Sequence, residues 1–233
     1  MDPGAAEIVV VARGDDDPDL VAQAYDTVLS RSFGRDEISP REQFLLDVAG
    51  STVLVARVDG EVVAAAISEG AERDPIGLLS HLAVRPGTRG TGIGGQMMGA
   101  LQTLWSSGPP VVLGEVHDPR AWADGPDELP AARLRFYERH GARLLGVPWV
   151  QPQLWSGGDR VADMLLLVMG GSAEPDGVAA ESLRSWMTAY YELTEGTDAS
   201  DPTLAALLER VAAEDPVPIR PISALAAVAL LGR

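Results

Sequence analysis

The stretch LLSHLAVRPGTRGTGIGG, residues 78–95, joins an apolar run to a glycine-rich loop and decides the fold. The run 78–84 predicts a β-strand, and the apolar residues that recur after the loop predict an amphipathic helix. Within the loop, G-T-G-I-G-G satisfies the G-x-G-x-x-G spacing of dinucleotide-binding proteins. Glu115 lies 20 residues beyond Gly95, about where that fingerprint requires a ribose-binding acid. The surrounding sequence must decide which kind of phosphate-binding loop this is.

The residues around the loop argue against a dinucleotide site. In dinucleotide-binding folds the strand runs almost directly into the first glycine, because that glycine makes the tight turn at the strand end. Here the predicted strand ends at Val84, and residues 85–89 intervene before Gly90. A dinucleotide-binding strand–loop–helix unit normally lies at the start of its domain, whereas two predicted helices and a hairpin precede this loop. Glu115 also lies inside a predicted strand at 109–118, so we reject the dinucleotide interpretation.

The composition excludes several classes of chemistry. The chain of 233 residues has no cysteine, which removes disulfides, thiolate metal ligands and cysteine nucleophiles. All 18 basic residues are arginine, which is typical of a GC-rich bacterial genome. The absence of lysine excludes Schiff-base chemistry and a Walker-type phosphate loop. The three histidines are scattered along the chain, and we expect no bound metal.

Charge and hydropathy limit the partners. The net charge of −16 argues against a nucleic acid partner and favours a cationic substrate. The longest apolar stretches fall well short of the roughly 20 residues that span a bilayer, so we expect no membrane partner. The acidic N-terminus lacks the basic and apolar segments of a signal peptide, and we expect a cytoplasmic protein.

Strand and helix patterns succeed one another along most of the chain. Strands are predicted at 7–14, 52–58, 61–68, 78–84, 109–118, 142–146 and 161–169. Helices are predicted after Asp17-Pro18, after a capping box at Ser39, after the glycine-rich loop and at 131–141. We therefore divide the chain into a domain at 1–171 and a helical extension at 172–233. The extension must pack on that domain or on a second subunit, in which case the protein would be a homodimer.

The strand, the loop and the following helix resemble the acetyl-CoA-binding motif of the GNAT superfamily of N-acyltransferases. That motif reads Q/R-x-x-G-x-G/A after a strand ending in V-x-P, and Arg89, Gly92 and Gly94 fill its fixed positions. Backbone N–H groups at a helix N-terminus point at a pyrophosphate, and glycines allow its close approach. The resemblance implies acetyl-CoA as co-substrate, held by Leu82, Ala83, Val84, Arg89, Gly90, Thr91, Gly92, Ile93, Gly94 and Gly95.

A second block, LRFYERHGARLL, is similar to the family's other core motif, a helix with a tyrosine, a glycine stop and a strand. By that match, Tyr137 protonates the departing CoA thiolate. The two motifs imply a GNAT fold of the α/β (α+β) class, with a central mixed, mostly antiparallel sheet flanked by helices. Two positions depart from the family pattern: Pro130 replaces an asparagine that often holds the cofactor, and Leu78 replaces a glutamate that some members carry.

Transfer to an amine requires a base, because an alkyl amine is largely protonated at neutral pH. Glu115 is the leading candidate, since VVLGEVHD looks like the strand that carries the base in the ribosomal-protein alanine N-acetyltransferases. The alternative is that Glu115 pairs with an arginine of the sheet. Strand alternation puts His117 on the same face, as a relay or a second candidate base. Ser80 would be a weak relay, whereas alternation turns His81 away unless a bulge intervenes.

The resemblance implies an acceptor site built from the first helices and the link between the last two strands. That link carries Trp149 and Trp155, which would either line an acceptor pocket together with Ser80 or pack under the C-terminal helices. An apparent insertion at 119–130 places several acids near the same end of the sheet. They would form either a rim suited to a cationic amine or a solvated loop, and they are Asp118, Asp124, Asp127 and Glu128.

Three functions remain open. The favoured one is an N-acetyltransferase that moves acetyl from acetyl-CoA to the primary amine of a small cationic molecule, with Glu115 as base and Tyr137 as acid. The second is a protein N-terminal or side-chain acetyltransferase. The third is a non-catalytic acyl-CoA-binding module. The first is favoured over the second because the insertion and the C-terminal helices are placed to close an open peptide groove.

Overall fold

The computed structural model describes residues 6–71, 73–123 and 129–228. Its strands are β1 (Glu7–Val11), β2 (Thr52–Val58), β3 (Glu61–Glu69), β4 (Ile76–Val84), β5 (Val111–His117), β6 (Arg143–Gln151), β7 (Val161–Gly170), β8 (Gly177–Val178) and β9 (Val217–Arg220). Its α-helices are α1 (Pro18–Thr27), α2 (Arg41–Asp47), α3 (Ile93–Trp105), α4 (Pro130–Arg139), α5 (Ala180–Glu195) and α6 (Pro202–Ala212).

The strands form a mixed sheet in the order β1-β2-β3-β4-β5-β7-β6-β9-β8. β4 and β5 run parallel, and the other described pairs run antiparallel. Helices lie on both faces of this sheet. The predicted mixed, mostly antiparallel sheet flanked by helices is therefore confirmed.

Short sequence signals explain where several of these elements begin and turn. Asp59 and Gly60 have φ angles of 52° and 81°, the backbone that an Asp-Gly hairpin turn requires between β2 and β3. Asp17 caps α1, because its Oδ1 accepts a hydrogen bond from the backbone N–H of Leu20 at 3.1 Å. Both features are as the sequence predicts.

Helices cover both faces of the sheet, and two pairs of helices share the second face. Alternate residues of β2 point to opposite faces, so Leu54 packs with α3 while Val55 packs with α1 and α2. α3 and α4 cover the first face. On the second face, α1 and α2 cover the half formed by β1, β2 and β3, and α5 and α6 cover the half formed by β5, β6 and β7. A cavity remains between α2 and α5.

The extension after residue 171 packs on this second face. Leu183, Met187 and Tyr191 of α5 are buried against β6 and β7 together with the apolar side of α6. β9 also pairs antiparallel with β6, where Leu144 stands opposite Arg220. The extension therefore adds strands to the sheet as well as the helices that the sequence predicts.

β4 and β5 separate halfway along their length, and this opening positions the site. Within the described residues, their parallel ladder involves only Ile76–Leu79 of β4. Against β3, β4 carries a bulge in which Ser80 is the extra residue between Leu79 and His81. Residues 80–84 of β4 therefore face the opening with an edge that β5 does not pair.

Candidate functional site

A cavity of about 600 Å³ lies at the glycine-rich loop, between β4, α3 and α4. We call it the loop cavity. Its lining includes nine of the ten residues predicted to hold acetyl-CoA, namely Leu82, Ala83, Val84, Arg89, Gly90, Gly92, Ile93, Gly94 and Gly95. The tenth, Thr91, lies outside this lining and donates its hydroxyl hydrogen bond to the Thr88 carbonyl at 2.7 Å. The predicted residues thus surround one space.

The backbone of the loop suits an anion. Gly90 and Gly92 have φ angles of 83° and 86°, in the left-handed region that favours glycine. α3 begins directly after Gly92, and among the described residues no side chain caps its first turn. Arg89, Arg133 and Arg139 add positive charge around the same cavity. In a chain of net charge −16, this combination favours a ligand that carries phosphate.

A second cavity, of about 710 Å³, lies between α2 and α5. We call it the carboxylate cavity, because its lining brings together Asp47, Glu69 and Glu115. Ser80 and His81 of β4 line it too. The loop after β6 and the helix α5 supply the outer wall, through Leu154, Trp155, Ser156, Tyr190, Leu193 and Thr194. The two cavities share β4, since residues 80–81 line one and residues 82–84 line the other.

Glu115 lies in the carboxylate cavity and accepts three hydrogen bonds. Trp149 Nε1 donates to Oε1 at 2.5 Å, while Gln151 Nε2 and the Tyr190 hydroxyl donate to Oε2 at 2.9 and 3.1 Å. Burial raises the pKa of Glu115 to about 7, although these three hydrogen bonds lower it, and the charge of Glu69 raises it further. A carboxyl group with this pKa can take up and return a proton at neutral pH. Among the described residues no arginine pairs with Glu115, in contrast to the ion-pair alternative.

Glu69 and His81 also reach the carboxylate cavity; Glu69 was not expected there, and His81 was expected to face away unless a bulge intervened. Glu69 ends β3 opposite Leu78, and burial raises its pKa. The available signal was an acid that follows the apolar run 62–67 of β3 within two positions. His81 reaches the cavity because the bulge at Ser80 breaks the strand alternation. Its Nε2 lies 3.1 Å from the Glu37 carbonyl oxygen, and burial lowers its pKa to about 4, so the ring is neutral at pH 7.

Tyr137 lines the loop cavity from α4. Its side chain is 7% exposed, and burial raises the pKa of its hydroxyl. The hydroxyl is therefore protonated at neutral pH and available as a proton donor. Pro130, the departure from the family pattern, begins α4, at a helix position where a missing N–H is tolerated.

His117 belongs to neither cavity lining. Its side chain is 3% exposed and stacks on Trp122, with ring centroids 4.2 Å apart. Its Nε2 lies 3.8 Å from Glu37 Oε1. His117 therefore contacts a packed cluster beside the site, and its position does not favour the predicted role as relay or base for an acceptor in the carboxylate cavity.

The two tryptophans predicted for the acceptor site have different environments. Trp155 lines the carboxylate cavity and donates its Nε1 hydrogen bond to the Arg35 carbonyl at 2.8 Å. Trp149 is fully buried in β6, because this strand continues to Gln151 rather than ending in a link at residue 146. Its predicted role as a lining residue is corrected: it contacts the site by donating to Glu115.

Of the acids predicted to form a rim, Asp118 is fully buried. Its Oδ2 accepts a hydrogen bond from Arg120 Nη2 at 2.6 Å, and Arg120 Nη1 donates to the carbonyls of Leu225 and Val228 at 2.9 Å. Asp118 thus anchors the C-terminal segment to the end of β5 and is not part of a rim. The other three acids, Asp124, Asp127 and Glu128, lie outside the described residues.

The described residues lack two kinds of feature. They contain no group of three or more His, Asp or Glu side chains that could hold a metal ion. None of their helices is both long and apolar enough to cross a membrane.

The chain is similar to known proteins in sequence and in fold. A family model described as "Acetyltransferase (GNAT) domain" matches residues 49–141. A solved GNAT-family protein from Bacteroides thetaiotaomicron is 19% identical with a TM-score of 0.57, over 79% of this chain and 98% of that one. A GNAT-family protein from Desulfovibrio desulfuricans is 17% identical with a TM-score of 0.47, over 71% and 100%.

Diaminobutyrate acetyltransferase from Paenibacillus lautus, solved with its substrate L-2,4-diaminobutyric acid and coenzyme A, is also similar. It is 18% identical with a TM-score of 0.48, over 74% of this chain and all of its own. No curated protein sequence matches the chain.

Proposed function

The chain contains a GNAT acetyltransferase domain and has the GNAT fold, and on this premise we propose that it moves an acetyl group from acetyl-CoA to the primary amine of a small cationic molecule. The observation that carries the proposal is that two cavities share β4. A thioester held along residues 82–84 meets an amine held at residues 80–81, beside a carboxyl group whose pKa is about 7.

The loop cavity has the features that the CoA moiety requires. The uncapped first turn of α3 offers N–H groups to a pyrophosphate, and the open space at Gly90 and Gly92 permits its close approach. Arg89, Arg133 and Arg139 would compensate phosphate charge. Acetyl-CoA supplies the acetyl group as an activated thioester.

Each step of the transfer has a candidate residue. Glu115 takes the proton of the incoming ammonium, which frees the nitrogen lone pair to attack the thioester carbonyl carbon. Residues 80–84 of β4 present backbone groups on the edge that β5 does not pair, where N–H groups can hold the carbonyl oxygen as it gains negative charge. Tyr137 donates its proton to the departing thiolate when the C–S bond breaks, and the second proton that the nitrogen loses as the amide forms restores the Tyr137 hydroxyl. The chain has no cysteine, so we infer direct attack without a cysteinyl intermediate.

The walls of the carboxylate cavity favour a small acceptor over a peptide. Leu193 and Thr194 of α5 and Trp155 of the loop after β6 lie on one side, and residues of α2 lie on the other. A peptide chain would need an open groove across this surface. The three carboxylates of the cavity lining, Asp47, Glu69 and Glu115, favour a cationic amine.

The test is release of free CoA from acetyl-CoA with a panel of small amines and a panel of peptides. We expect turnover with small cationic amines. Glu115→Gln should lower kcat/KM by about 100-fold or more, as expected for loss of a general base, and should leave acetyl-CoA binding intact. The matched control is Glu209→Gln, which removes a negative charge from an exposed position of α6.

Binding is measured separately by the thermal shift with acetyl-CoA, since a ligand at ~100 times its Kd adds about 2.7 kcal/mol of stability. Turnover with peptides alone would favour the protein acetyltransferase. A thermal shift without any turnover would favour the non-catalytic module.

A further inference from the structure

The carboxylate cavity carries negative charge that its own lining does not compensate. Among the described residues that line it, none is arginine, and the chain has no lysine. The imidazole of His81 is neutral at pH 7, because burial lowers its pKa to about 4. Asp47, Glu69 and Glu115 therefore face no cationic side chain within the described lining.

The carboxylates differ in how far their oxygens are already used. Asp47 accepts hydrogen bonds from Ser39 Oγ at 2.9 Å and from Gln43 Nε2 at 2.6 Å. For Glu69, burial raises the pKa, a side-chain hydrogen bond with Ser80 lowers it, and the charge of Asp47 raises it. A cation would stabilise the ionised form of Glu69 more than any group now described around it.

Gln151 supplies a separate indication of what binds. Its side chain is 6% exposed and lines the carboxylate cavity. Its Nε2 donates to Glu115, while its Oε1 has no hydrogen-bond partner among the described residues. A buried amide oxygen without a donor is costly, so an N–H or O–H group of a bound ligand would be stabilised at this position. An ammonium group at Glu115 offers three such donors.

We propose that the acceptor carries two ammonium groups, one that reacts beside Glu115 and Gln151 and a second that binds Glu69. This inference rests on the proposed function and narrows its substrate to the class of α,ω-diamines and polyamines. Amines that carry a carboxylate are excluded, because the described lining offers no cation to pair with it. The charges of Glu69 and Glu115, which repel one another, are then both compensated by one ligand.

The first test uses the wild-type protein and compounds matched in their carbon chain. Diaminopentane, aminopentane and aminohexanoate are compared by kcat/KM for CoA release, and diaminobutane and diaminohexane extend the length series. We expect the best diamine to exceed the monoamine about tenfold or more, as expected for one added charge-assisted hydrogen bond, and the aminocarboxylate to react most slowly. A monoamine that equals the diamines, or a preferred aminocarboxylate, would overturn the proposal.

The second test asks whether Glu69 recognises the second ammonium. Glu69→Gln should lower the ratio of diamine to monoamine kcat/KM about tenfold, whereas Glu209→Gln should keep the wild-type ratio. An unchanged ratio in Glu69→Gln would overturn the assignment. If that variant does not fold, the comparison of diamine, monoamine and aminocarboxylate with the wild-type protein decides whether a second ammonium is recognised.

Calorimetric titration with the same diamines separates the two proposals. Diamine binding that Glu69→Gln weakens, without CoA release, would contradict acetyl transfer and support the dication site. Equal turnover of monoamines and diamines would support acetyl transfer and contradict the dication site. Absence of both binding and turnover would contradict both.

Discussion

The hydroxyl of Tyr190 donates a hydrogen bond to Glu115 Oε2 at 3.1 Å, across 75 positions of the sequence. Tyr190 belongs to α5, outside the matched domain at 49–141. The extension therefore contacts the carboxyl group that we propose as the base. Because this hydrogen bond favours the charged carboxylate, it lowers the pKa of Glu115 against the effect of burial.

Tyr190→Phe should raise the pKa of Glu115, since it removes one donor to the carboxylate and leaves the burial in place. The reaction needs the deprotonated form, so the acidic limb of the kcat/KM profile should move to higher pH. The profile of CoA release against pH measures this shift. Tyr191→Phe is the matched control, because Tyr191 donates to the Val150 carbonyl at 2.7 Å. An acidic limb that moves equally in both variants would contradict the prediction.

The raised pKa of Glu115 makes a prediction about stability. Burial raises this pKa from 4.5 to about 7, so folding favours the protonated carboxyl group. The contribution of Glu115 to the free energy of unfolding is therefore present in full below about pH 4.5 and is lost as the pH rises through about 7. Glu115→Gln does not ionise and lacks this loss. The Tm of the variant minus that of the wild type should therefore increase between about pH 5 and about pH 8. Parallel Tm curves for the two proteins would show that Glu115 does not titrate in this range.

Gly92→Ala should weaken acetyl-CoA binding, because alanine disfavours the backbone conformation of the loop at this position. An added Cβ meets open space, but the φ of 86° is unfavourable for alanine and costs roughly 1 kcal/mol. Gly99 is the matched control, since it lies within α3 and its Cβ would also meet open space. Gly99→Ala should stabilise the protein by about 0.5–1 kcal/mol and leave the Kd for acetyl-CoA unaltered. Titration and thermal unfolding of both variants check this pair, and equal Kd values would argue against the loop as the CoA site.

Tyr137→Phe should lower kcat about 100-fold, the lower end of the contribution of a general acid, with little change in acetyl-CoA affinity. The ring that packs in the loop cavity is retained, and the proton for the thiolate is lost. Steady-state kinetics with acetyl-CoA varied measure both quantities. A variant with wild-type kcat would remove the acid role from Tyr137.

The loop cavity could be predicted from the sequence because its chemistry is local. The glycines and Arg89 follow β4 within a few positions, so one motif fixes both their identity and their placement. Tyr137 follows in a second motif on the helix that faces the same cavity. The sheet was predictable for the same reason, since alternation and the Asp-Gly turn act over short distances.

The three hydrogen-bond donors to Glu115 could not be predicted, because they lie 34, 36 and 75 positions away along the sequence. A local pattern contains no information about such contacts. β6 was expected to end at residue 146, but it continues through Pro148 to Gln151. The strand accommodates Pro148 by a register shift between Leu144 and Pro148, and Trp149 is buried in the core.

Two smaller predictions depended on features that a local pattern does not contain, one on a tertiary contact and the other on a strand bulge. The capping box at Ser39 is wrong: its Oγ donates to Asp47 at 2.9 Å, and Pro40 takes the N-cap position of α2. His81 was expected to face away from the site unless a bulge intervened, and the bulge at Ser80 turns it toward the carboxylate cavity.

The division of the site between an early and a late part of the chain has a consequence for its biosynthesis. The described lining of the loop cavity ends at His140, whereas that of the carboxylate cavity extends to Thr194. A ribosome that has translated as far as His140 has made that entire lining, but neither Tyr190 nor the two other donors to Glu115. The residues that we propose hold acetyl-CoA are therefore synthesised before the residues that donate hydrogen bonds to the proposed base.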